Sequence, residues 1–228
     1  MKQIIYILTF LSFGQFCIGQ EKSFYVPTYK DGDTTLWFKL QQEKFEKAGL
    51  SDLTKSTDAL HFRFSSEIQA VDIWTTDFLT FSGTQTNFTT SYNPNGHKRK
   101  KEIFFSKANL IDTATAMKVY NLFIEKSIFE IAPQDSIKDW SSGKDGVTYF
   151  IEYTTSNIYS FKDYWSPETF KNKITAAKNI YEIAQKLEEL LNLEQSFGHF
   201  INSLPSGTYR GGGIEIIMNS KRKRKPNR

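Results

Sequence analysis

Cysteine occurs once in these 228 residues, at Cys17, and that narrows how the chain can hold itself together. With no second thiol there is no disulfide framework and no cysteine metal site, so a hydrophobic core has to carry the fold. Cys17 also closes a segment laid out like a secretory signal. Lys2 is a positive n-region, Ile4 to Phe13 an almost unbroken apolar run, and Cys17-Ile18-Gly19 offers small residues three and one positions before a cut. The run is too short to span a bilayer comfortably as a mature helix. The expectation is a signal peptide over 1–19 and an exported protein, periplasmic or extracellular, with a thiol-free mature chain and no transmembrane segment. Phe16 stands where a lipoprotein signal usually has a small residue, so the product is expected to be soluble rather than lipid-anchored.

About 209 residues then remain, enough to bury a sizeable core as one domain over 20–220. The net charge of +4 misleads. Setting aside Lys2 and the six basic residues of 221–228, 22 basic residues face 25 acidic ones. The body is mildly acidic and ends in a short basic tail read as disordered, which does not suit a nucleic-acid-binding surface.

The periodicities predict an α+β fold. Trp37, Leu40, Lys44, Phe45 and Ala48 recur at helical spacing, with Asp33 or Thr34 as N-cap and Gly49 as the terminating glycine. From Leu60 the period becomes two. Leu60, Phe62 and Phe64 alternate with His61, Arg63 and Ser65, as in a half-buried strand, and Ile68 to Thr75 follows as the next. Thr84 to Tyr92 and His97 to Phe105 flank Asn93-Pro94-Asn95-Gly96, a turn sequence, so they read as a long hairpin. Asp112 caps a helix with Ala116, Met117, Tyr120, Phe123 and Ile124 on one face.

A second hairpin places Val147, Tyr149, Ile151 and Tyr153 on one face and Thr148, Phe150, Glu152 and Thr154 on the other, turning into Ile158 to Trp165. Ser166-Pro167-Glu168 then reads as the start of a long helix, with Ser166 as N-cap and Leu187 in its apolar stripe. A short helix stopped by Pro205 and a last strand from Ile214 to Met218 complete the chain. The expected architecture is a mainly antiparallel sheet of two hairpin groups with two to three helices packed on one face.

No catalytic signature stands out, and no metal or cofactor site is expected. His61, His97 and His199 lie too far apart to share a helix face. Ser141 and Lys144 match a Ser-x-x-Lys pattern, but inside a polar loop and without its companion motifs. Asp31-Gly32-Asp33 lacks the further ligands of a calcium loop, and the glycines of 207–213 lead into a strand rather than a phosphate-binding helix.

The leading reading is therefore an exported, non-enzymatic binding or interaction protein, its partner an unknown protein, glycan or envelope component. The candidate ligand-binding residues are Trp140, Tyr149, Glu152, Tyr153, Tyr159 and Trp165, an aromatic set around the second hairpin. One alternative is a secreted or periplasmic hydrolase. It would use Asp139 and Glu152, an acid pair among aromatics, or a His61/Arg63/Asp72 group formed across neighbouring strands. Against the latter, the His61 face reads as the wet side of an antiparallel sheet. The other alternative is an adhesion module for anionic surfaces. It would act through Lys98, Arg99, Lys100 and Lys101 and through Lys221, Arg222, Lys223, Arg224 and Lys225.

Overall fold

A computed structural model describes residues 22–30, 32–92, 102–143, 145–212 and 215–220. Its centre is β2 (Leu60–Ser65), hydrogen-bonded on one side to β3 (Gln69–Thr75) and on the other to β6 (Thr148–Thr154). From β3 the sheet continues through β4 (Ser82–Thr90) to β5 (Phe104–Ile111). From β6 it continues through β7 (Ile158–Trp165) to β1 (Ser23–Tyr25). The resulting seven-stranded sheet is mixed, which corrects the expected antiparallel one. β1 runs parallel to β7, with Ser23 opposite Ile158 and Tyr25 opposite Ser160. No local turn joins those segments, so nothing near β1 in sequence marks its partner.

The helices lie on both faces, a second correction. On one face, α2 (Thr113–Glu125) and α4 (Thr175–Leu191) cover Phe62, Phe64, Val71, Ile73 and Ile151. Val119, Phe123, Ile180, Ile183 and Leu187 are fully buried in this core. On the other face lies α1 (Leu36–Ala48), whose Phe45 packs with Leu53, Phe150, Tyr159 and Phe161. Its stripe is turned from the expected one. Phe38, Gln41, Phe45 and Ala48 face the sheet, while Trp37 and Leu40 are exposed, because the Phe38 ring meets Phe161 at 5.1 Å.

Several local expectations hold. Gly49 ends α1 in the left-handed region at φ 75°, and the Asp112 carboxylate accepts from the Thr115 amide at the start of α2. The α1 cap, however, is Thr35 rather than Asp33 or Thr34. Ser166 does not cap a long helix. It adopts φ 43° with no side-chain cap bond, α3 (Pro167–Phe170) follows as a single turn, and α4 starts only at Thr175. The break lets Phe170 reach Trp140 and Trp165, at 5.9 and 6.1 Å between ring centres.

The first long hairpin is set further along than expected, with β5 beginning at Phe104; its Asn93–Gly96 turn lies outside the described residues. At the far end α5 (Leu193–Ser203) packs on a small hairpin of β8 (Gly207–Arg210) and β9 (Ile216–Asn219). Among the described residues no helix is long and apolar enough to cross a membrane.

Candidate functional site

Because α1 covers the second face of the sheet, the polar alternates of the central strands are buried rather than wet. His61, Arg63, Asp72 and Glu152 are each 5% exposed or less. Strand register brings them together, since Arg63 lies opposite Asp72 on β3 and Glu152 on β6. Arg63 Nε donates to Asp72 Oδ1 at 2.8 Å, Nη1 to Glu152 Oε2 at 2.8 Å, and Nη2 to the Ser51 carbonyl at 2.9 Å. The Phe45 ring caps the guanidinium at 4.5 Å.

Glu152 Oε1 in turn accepts from the Tyr159 hydroxyl at 2.7 Å and from Gln42 of α1 at 3.2 Å. Burial pushes the Glu152 carboxyl above its ordinary range, against the pull of Arg63. Burial works the other way on Arg63, but Asp72 and Glu152 hold it above its ordinary value. Tyr159 is raised by burial and by Glu152 beside it.

His61 extends the network outward. Its Nε2 lies 3.1 Å from Asp72 Oδ1 and its Nδ1 3.2 Å from Asp58 Oδ2. Both contacts are hydrogen bonds together when both ring nitrogens carry protons, because ionised carboxylates only accept. Asp58 also accepts from the Ser56 hydroxyl at 2.8 Å. The loop holding these residues is anchored by the buried Leu53 and by Lys22, whose Nζ donates to the Ser56 carbonyl and to Thr154.

Next to this network no helix among the described residues covers the sheet. α1 has ended at Ala48, and the strand positions beyond it carry the small side chains Thr84, Thr86 and Ala108. They floor a pocket of about 700 Å³, walled by Gly49 to Asp52, Lys55 to Asp58, His61, Asp72 and Trp74. The Trp74 ring lies 5.5 Å from that of His61. Among the described residues five buried side-chain polar atoms lack a hydrogen-bond partner, and two of them, Asp72 Oδ2 and Thr86 Oγ1, belong to residues lining this pocket. Such an orphan costs about 1–3 kcal/mol unless something satisfies it.

The aromatic set expected around the second hairpin is divided by the sheet. Tyr149 and Tyr153 are half-buried on the α2/α4 face, their rings 5.2 Å from Phe64 and 5.1 Å from Phe129. Trp140 is buried there too, its Nε1 donating to the Trp165 carbonyl at 2.9 Å. Glu152 and Tyr159 lie on the α1 face. Trp165, half-buried at the end of β7, leans on Gly143, where an added Cβ would come within 2.5 Å of the indole. Asp139 is exposed at φ 67°, and among the described residues no hydrogen bond or ion pair joins it to Glu152.

Of the sequence candidates, His61, Arg63, Asp72, Glu152 and Tyr159 are brought together in one network. Lys98 to Lys101, Lys221 to Lys225 and residues 1–19 lie outside the described residues. Nothing in the sequence marks Thr86 or Trp74 as site residues. The run of small side chains at Ala70, Thr84, Thr86 and Ala108 signals a hollow only once the strand register is known. No group of three or more His, Cys, Asp or Glu among the described residues is arranged to hold a metal ion. Comparison with protein-family models finds no match for the chain, and comparison with curated proteins finds none either.

Proposed function

We propose that this protein is a non-enzymatic binding protein, acting outside the cytoplasm as its amino-terminal segment suggests, which holds a small polar ligand in the pocket between the end of α1 and strands β3 to β5. The observation that carries this reading is that two residues lining a cavity of about 700 Å³, Asp72 and Thr86, each carry a buried oxygen with no hydrogen-bond partner, Oδ2 and Oγ1. Pockets of that size with a few convergent polar groups suit small-molecule ligands.

The network favours binding over hydrolysis. For His61 to act as a general base it needs a free ring nitrogen within reach of a substrate, whereas both its nitrogens face carboxylates, and every Arg63 nitrogen has a partner. Glu152, the acid of the hydrolase alternative, is fully buried under α1 and does not line the pocket. Its role is to hold Arg63, which holds Asp72.

Native mass spectrometry tests the reading. The protein is incubated with small-molecule extracts of cell envelope and culture fluid and compared with an Ala108→Trp variant, whose indole would fill the pocket from the exposed β5 position. A mass adduct on the wild type that the variant loses supports the proposal. Equal adducts on both, or none on either, overturn it.

A further inference from the structure

The charges around the pocket say which class of ligand it takes. Resting on the binding reading above, we infer that the ligand carries an organic cation, an ammonium or guanidinium group, that donates to Asp72 Oδ2 and lies against Trp74.

Three arguments lead there. The pocket is lined by three carboxylates, Asp52, Asp58 and Asp72, and by one permanent cation, Lys55. Asp52 holds Lys55, with 2.8 Å between Nζ and Oδ2, and His61 stands between Asp58 and Asp72, so among the described lining residues each positive or protonatable nitrogen group already faces a carboxylate. The second argument is how Asp72 is used. Its Oδ1 takes both donors, Arg63 Nε and His61 Nε2, while Oδ2 has none although Asp72 is only 3% exposed. A neutral hydroxyl would fill that vacancy of hydrogen bonding, but an N–H on a cation makes the stronger, charge-assisted bond. Third, the Trp74 indole lines the same pocket, and indole is the side-chain ring that attracts cations most strongly. Thr86 Oγ1 supplies a further acceptor for a group with several N–H bonds.

Calorimetric titration of the full chain with n-butylammonium, 1-butanol, butyrate and glucose tests this. The first three share one carbon chain and differ in head-group charge. The expected result is millimolar binding of butylammonium at least about tenfold tighter than butanol, weakened by salt and lost in Ala108→Trp, with no binding of butyrate. Asp72→Asn should abolish it. Because that change disturbs the buried network, Thr86→Val serves as the second variant. It removes an unpaired hydroxyl at nearly constant shape, so the melting temperature should stay at or above wild type while butylammonium binding weakens several-fold.

Equal binding of butylammonium and butanol, or a preference for glucose, overturns the cation inference and leaves the pocket as a site for neutral polar ligands. Butylammonium binding unchanged by Ala108→Trp, or no binding of butylammonium at all, overturns it as well. The binding reading itself falls only with the adduct experiment.

Discussion

The two faces of the sheet are built from the same strands in opposite ways. On the α2/α4 face, Phe62, Phe64, Val71, Ile73 and Ile151 meet apolar helix stripes, and the core needs no polar partner to be satisfied. On the α1 face the alternate residues of those strands are His61, Arg63, Asp72 and Glu152, equally buried and tied into one network. Burying apolar area stabilises in rough proportion to area. Burying charges stabilises little on balance, because desolvation offsets the attraction. The contrast teaches that the first face is organised for stability, whereas the second keeps an expensive arrangement whose outer edge opens into the pocket.

The strongest test of that contrast is Arg63→Met. It leaves buried Glu152 without its counter-charge and Asp72 with His61 alone, and chemical denaturation should report a loss of about 3–5 kcal/mol. Adding Asp72→Asn and Glu152→Gln should recover part of the loss, a coupling that independent sites do not have. If the triple variant is less stable than the single one, the buried charges are not what the network balances.

Leu187→Ala on the apolar face should cost about 2–5 kcal/mol, since Leu187 is fully buried and the cavity left behind refills only partly. A denaturation midpoint equal to wild type would mean that α4 does not cover this face.

Lys162 is the exception that sharpens the comparison. It is a lysine near the apolar core, with Nζ bonded to the Phe129 and Ile131 carbonyls and no acid partner among the described residues, and burial lowers it from 10.5. Above 10.5 it is neutral in both folded and unfolded chains. As the pH falls through 10.5 the unfolded chain takes up the proton first, and stability declines until the lower folded value is reached. Wild type should therefore gain stability relative to Lys162→Met as the pH rises toward 10.5, measured as the difference in melting temperature. A difference independent of pH would place Lys162 in water.

The smallest effect is expected for Ser166→Ala, within about 0.5 kcal/mol, because this serine makes no side-chain cap bond. A loss of about 1 kcal/mol, as for a true N-cap, would show α3 and α4 to be one helix.

Legibility in the sequence follows the range of each interaction. Gly49 and Asp112 are readable because the groups they satisfy lie within four residues. The β6–β7 hairpin is readable because its alternation and its turn are contiguous. Ser166 misleads for the same reason. Its local signal is a good cap, but the helix behind it stops at Phe170, whose ring lies against Trp140, and resumes only at Thr175.

The site was half legible. Alternation alone puts His61 and Arg63 on one face with Asp72 within reach, yet the same pattern describes a wet face and a buried one equally well. What separates them is where α1 docks, and the apolar residues of α1 carry no information about which face they will cover.

By itself, then, the sequence determined the period of each element, the caps closed by near neighbours, and the absence of any disulfide as a support. Only the tertiary structure decided the parallel pairing of β1, the face that α1 covers, and the hollow over Thr84, Thr86 and Ala108. Those three depend on contacts between segments far apart in the chain, and the free energy of such contacts belongs to the pair rather than to either segment. The orphaned oxygens of Asp72 and Thr86 belong with the last two, which is why no motif announces them.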